Sequence, residues 1–112
     1  MIDGTLGAIV EKEIERAIEL HGEFNSPHEA HSVLKEELEE LHDEISHLEK
    51  KFDGIWKAIR HRYFHTDGTT ADLELMEGIT ERIVKEAIQL SAVIVQLKNQ
   101  QRDNKWNKGG LK

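Results

Sequence analysis

Cysteine is absent from the 112-residue chain, which excludes disulfides, thiolate nucleophiles and Cys-ligated zinc. Proline occurs once and aromatic residues make up only 5%. With β-branched and aromatic residues so rarely in alternation, no stretch reads as a strand. No apolar run is long enough to cross a bilayer, and the opening residues lack the basic flank and apolar stretch of a signal peptide, so a cytoplasmic protein is expected and no membrane partner. Length points to one domain over residues 1–112.

Charge of one sign is plentiful. Residues 1–50 carry 14 acidic and 4 Lys/Arg side chains, whereas residues 51–112 carry 8 and 11, so the halves stand at -10 and +3. An acidic first half repels nucleic-acid phosphate and the later basic residues are scattered, so no nucleic-acid partner is expected. Such an asymmetry suits a cation, or a polyphosphate whose ions sit on the first half and whose oxygens meet bases from the second.

Hydrophobic periodicity predicts three helices. Leu6, Ile9, Val10, Ile14, Ala17 and Ile18 fall on one face between a cap at Thr5 and a stop at His21-Gly22. Ser26-Pro27-His28-Glu29 is a capping box with proline at the first helical position, in which Glu29 is expected to reach back to Ser26. From there Leu34, Leu38, Leu41, Ile45, Leu48, Phe52, Ile55 and Ile59 form an unbroken heptad seam, through Asp53-Gly54 and on to about Phe64. Residues 65–70 read as a turn. A third helix from about Thr70 to Arg102 carries Met76, Ile79, Ile83, Ala87, Leu90, Ile94 and Leu97 on one face. The tail from about residue 103 reads as frayed, apart from Trp106 as a docking residue.

A helix over residues 27–64 is roughly 55 Å long, whereas a compact chain of this size has a radius of gyration of about 13 Å. Unequal helices cannot cover seams of that length alone. The expected fold is therefore all-α, with long antiparallel helices whose bundle is completed by a second copy of the chain.

Glu37 and Glu40 each precede a seam position of the second helix, and Glu86 and Gln89 occupy the equivalent flanking positions of the third. Packed antiparallel, the two i, i+3 pairs converge beside the core, with Glu36 and Glu44 near. Carboxylates so gathered repel unless a cation offsets them, and an all-oxygen set suits magnesium bound with substrate phosphates. Water attack on phosphorus, assisted by metal and with a further carboxylate as base, is the chemistry this permits.

These residues carry a resemblance. Glu36-Glu37-x-x-Glu40 followed by Glu86-x-x-Gln89, with Phe24-Asn25-Ser26-Pro27-His28-Glu29-Ala30 leading in, is similar to the paired acidic motifs of the MazG-like all-α nucleoside triphosphate pyrophosphohydrolases, in particular the compact members found in phages. The likeness covers roughly residues 18–97. It implies cleavage of a nucleoside triphosphate between its α and β phosphates with Mg2+, Mn2+ being a substitute, in a homo-oligomeric dimer or tetramer. It further implies that Glu37, Glu40, Glu86 and Gln89 hold metal, that Glu36 and Glu37 are catalytic, and that His28, Phe24 and Lys85 meet substrate. Gln89 departs from the commoner Asp, which lowers the charge of the site, and the interval from Glu40 to Glu86 is longer than usual.

Plainer readings stand beside these. An acidic helix face is often only solvated, and Glu29 is explained as a cap. His28, His21 and Phe24 serve equally as helix-end residues. Arg82, Lys85, Lys98, Arg102 and Lys105 are either phosphate contacts or ordinary surface charge. His61 and His65 suit the helix dipole more than a transition metal beside Arg60 and Arg62. Glu39-x-x-His42 and Glu44-x-x-His47 would make a di-metal carboxylate four-helix protein only with a second subunit. A coiled-coil interaction module without catalysis is the main alternative to the enzyme.

Overall fold

A computed structural model describes residues 4–61 and 67–106, nearly all of them in three α-helices, with no strand among the described residues. They are α1 (Gly4–His21), α2 (Pro27–Arg60) and α3 (Asp67–Asp103). None of these helices is long and apolar enough to cross a membrane.

Local chemistry sets most helix ends. Thr5 lies inside α1 rather than capping it, since threonine in a helix costs only a few tenths of a kcal/mol. α1 stops at Gly22, whose φ of 75° is open to glycine and whose N–H donates to the Ile18 carbonyl at 2.7 Å. At the start of α2, Ser26 Oγ accepts from the Glu29 N–H at 3.1 Å, as the capping box requires. The return half of the box differs: the Glu29 carboxylate accepts from the backbone N–H and side-chain Nδ2 of Asn25, at 3.3 and 3.1 Å, and ties down the residue before the cap.

α2 runs unbroken through Asp53-Gly54 but ends at Arg60, short of the expected Phe64, with the His61 N–H closing the last turn on Lys57. α3 begins at Asp67, three residues before the expected Thr70. Thr69 is buried there, and packing of that side chain outweighs the poor propensity of a Gly-Thr-Thr stretch. Of the expected turn, residues 65 and 66 lie outside the described residues, as do residues 107–112 of the tail. α3 ends in a Schellman arrangement: Asn104 has a φ of 52°, its N–H meets the Gln101 carbonyl and the Lys105 N–H meets the Gln100 carbonyl. Trp106 docks as expected, 8% exposed, with Nε1 donating to Gln101 Oε1.

Packing divides into two compact units, one drawn from Met1–Leu38 and Ala87–Lys112, the other from Glu39–Glu86. In the first, Val10 and Ile14 of α1 are buried with Ala92 of α3, and Ile88 and Val95 pack against them. Gln96 and Gln100 are buried in the same unit. The C-terminal part of α3 therefore turns Ile88, Ala92, Gln96 and Gln100 inward, while Ala87 and Ile94 of the expected apolar face are exposed. Gln100 takes a core position because its amide finds backbone partners there, and Gln96 follows it by donating to Gln100 Oε1.

In the second unit Ile79 is buried, Lys51 Nζ lies 3.4 Å from Asp72 and Arg82 Nε lies 2.7 Å from Glu44. Alternate members of the α2 seam differ in burial. Leu34, Leu41, Leu48 and Ile55 are half-buried, whereas Leu38, Ile45, Phe52 and Ile59, at seven-residue intervals, are exposed.

Candidate functional site

The i, i+3 spacing on α2 places Glu37 and Glu40 one turn apart on one side of the helix. Glu37, Glu40 and Glu86 each offer a carboxylate oxygen, and the three oxygens lie within 4.8 Å of one another. Glu40 is exposed, while Glu37 and Glu86 are half-buried and each has an Oε2 atom screened from solvent. Glu86 Oε2 has no hydrogen-bond partner among the described residues. Burial, foremost, raises the pKa of the Glu86 carboxyl, and its hydrogen bond to Glu40 and the charge of that neighbour raise it further. Lys85 opposes this and Glu44 adds to it.

A buried oxygen without a donor is costly in a folded protein. Three oxygens of like charge gathered together compound the cost. A proton shared between Glu40 and Glu86 relieves part of it. A hard divalent cation fits the same set better, since it meets oxygen ligands alone and offsets more than one charge. Among the described residues no histidine belongs to this group.

Other expected site residues have different places. Glu36 is exposed on α2 and is not one of the three. Glu44 is engaged by Arg82, which holds its carboxyl below the usual range, and His47 Nδ1 stands 3.5 Å away on the same helix. Arg82 is thus already paired, and Lys85 is exposed beside Glu86. His28 is exposed on the first turn of α2 and does not line the cavity at Gln89 and Glu37. His65 lies outside the described residues.

Gln89 and Glu37 meet at a cavity of about 210 Å³, which Phe24, Val33, Ala92 and Gln96 also line. Arg16 stands on its wall, its guanidinium Nε 3.1 Å from Glu13. Apolar side chains supply a body to this cavity, and carboxylate and amide oxygens stand at Glu37 and Gln89. Gln96 and Gln100 had no part in the sequence reading. Their only sequence signal is a pair of amides at i, i+4 on an otherwise apolar stripe. No family model, curated protein or solved structure matches the chain.

Proposed function

We propose that the chain is a magnesium-dependent nucleoside triphosphate pyrophosphohydrolase of the MazG-like kind. The observation that carries this reading is the convergence of Glu37, Glu40 and Glu86, with Glu37 also in the wall of a cavity of the right chemistry for a nucleoside. Antiparallel packing of α2 and α3 is part of the proposal, supported by the Glu44–Arg82 and Lys51–Asp72 pairs.

The buried, unpartnered Glu86 Oε2 fits a cation, and Glu37, Glu40 and Glu86 would hold it, Gln89 adding a neutral oxygen. When bound, magnesium supplies charge neutralisation and polarisation of the phosphoryl oxygens. The chain's own part is to orient and to move a proton. Gln89 and Glu37 set the phosphate end of the substrate at the mouth of the cavity. Water attacks the α-phosphorus, the bond to the bridging oxygen breaks, and pyrophosphate leaves with that oxygen. Glu44 is engaged by Arg82, so Glu36 is the carboxylate assigned to take the water's proton.

The exposed row of Leu38, Ile45, Phe52 and Ile59 supports a homo-oligomer in which a second copy covers α2. It equally favours a second reading, a helical interaction module without catalysis. Pyrophosphate release from a panel of nucleoside triphosphates with magnesium tests the first. Turnover lost in Glu37→Gln and Glu86→Gln supports it, and turnover retained in both overturns it. Sedimentation of Phe52→Lys tests the assembly: the wild-type chain is expected as a dimer or tetramer and the variant as a smaller species. A monomeric wild type overturns that part.

A further inference from the structure

Gln100 is 2% exposed and its amide is saturated. Its Oε1 accepts from the Phe24 N–H at 3.0 Å, and its Nε2 donates to the Phe24 carbonyl and the Lys105 carbonyl, both at 2.9 Å. Because a backbone N–H can only donate and a backbone carbonyl only accept, these bonds leave one orientation for the amide. That orientation is passed on. Gln96, 5% exposed, faces Gln100 Oε1 at 3.3 Å, so the atom it presents there must be Nε2.

What remains of the Gln96 amide is Oε1 and one N–H, and no hydrogen bond among the described residues uses that oxygen. Gln96 lines the cavity that also holds Phe24, whose backbone Gln100 grips on both its N–H and its carbonyl. Gln96 is 5% exposed overall and lines the cavity, so an acceptor and a donor, side by side and fixed in order, are offered to a ligand bound there. An amide edge of this kind pairs with a planar partner that offers a donor beside an acceptor, as a nucleobase edge does.

We infer that Gln96 is the specificity-determining residue of the cavity, reading the hydrogen-bonding edge of a nucleobase, and that Gln100 is the positioning residue that fixes which way Gln96 reads it. This deepens the pyrophosphohydrolase reading and rests on it for the identity of the ligand as a nucleotide. Base discrimination then comes from a neutral amide whose orientation is fixed by its hydrogen bond to Gln100.

The test is binding of the four ribonucleoside monophosphates without metal, by titration calorimetry, to the wild-type chain, Gln96→Met and Gln96→Asn. Methionine keeps the volume and removes both hydrogen-bonding atoms. Asparagine keeps the amide but withdraws it by one methylene. The wild-type chain is expected to prefer one base, and Gln96→Met to lose about tenfold in affinity for that base with little change for the others. Gln96→Asn is expected to fall between, and the magnesium-induced rise in melting temperature to be the same in all three. Base preference unchanged in both variants, with helical content intact, overturns the inference, as does a wild-type chain that binds no nucleoside monophosphate. Failure of the two readings is separable: base-selective binding sensitive to Gln96 without pyrophosphate release leaves this inference standing and removes the enzyme. Pyrophosphate release whose base preference ignores Gln96 does the reverse.

Discussion

Two polar clusters on α3 differ in how their atoms are satisfied. The buried Gln100 amide meets backbone groups from Phe24 and Lys105 and the Nε2 of Gln96, so all four of its hydrogen-bonding positions are filled. Earlier on the same helix, Glu86 keeps a buried oxygen with no partner among the described residues, beside the carboxyl of Glu40. A filled network holds a structure together. One left short of donors and crowded with like charge costs stability unless a proton or a cation offsets the charge. The same helix therefore carries a clamp, whose one open edge is the Gln96 amide, and a carboxylate group with uncompensated charge.

The largest expected effect breaks the carboxylate side. Glu86→Gln or Glu37→Gln should lower pyrophosphate release by more than about 100-fold, beyond the loss usual for a partner outside the ligand set. Circular dichroism should show the helices unchanged. Loss of helicity in step with activity would mean that these carboxylates hold the fold rather than the site.

The amide side breaks differently. Gln100→Leu strands the Phe24 N–H and two carbonyls, each worth about 1–3 kcal/mol when left buried. Allowing for partial access of water, stability should fall by about 3 kcal/mol, a drop in melting temperature on the order of 10 °C or more. Thermal melts read it directly. A variant as stable as the wild type would show that the amide network contributes no net stability.

The finest test sharpens the contrast through pH. Because the Glu86 carboxyl is raised above its ordinary value of 4.5, the folded state binds more protons there than the unfolded state does. Stability contributed by this group is therefore present below the ordinary carboxylate range and is lost as pH rises through the raised pKa. Metal-free Glu86→Gln, which stays neutral, should melt close to the wild type near pH 4 and above it near pH 7, by on the order of 2–5 °C. Magnesium should reverse the order at pH 7, since the ion stabilises only the chain that binds it. A difference that does not vary with pH would remove the buried-carboxyl account.

Much of this was legible in the chain because its causes are local. Ser26 and Pro27 start α2, Gly22 ends α1, and the i, i+3 spacing of Glu37 and Glu40 follows from helical pitch. The heptad row of Leu38, Ile45, Phe52 and Ile59 was equally plain, but read as seam it implied burial, and within one chain these side chains are exposed. The inward turn of Gln96 and Gln100 was not legible. An amide on a helix face reads as solvated unless its partner is known, and Phe24 is 76 residues away from Gln100 in the chain.

Sequence alone thus determined three helices, most of their ends, and the regular placement of acidic side chains, because hydrogen bonds within a helix and its caps span only a few residues. Tertiary structure decided which polar groups are buried, which are satisfied and which are not. Satisfaction depends on partners brought from distant parts of the chain, and periodicity along one helix carries no record of them.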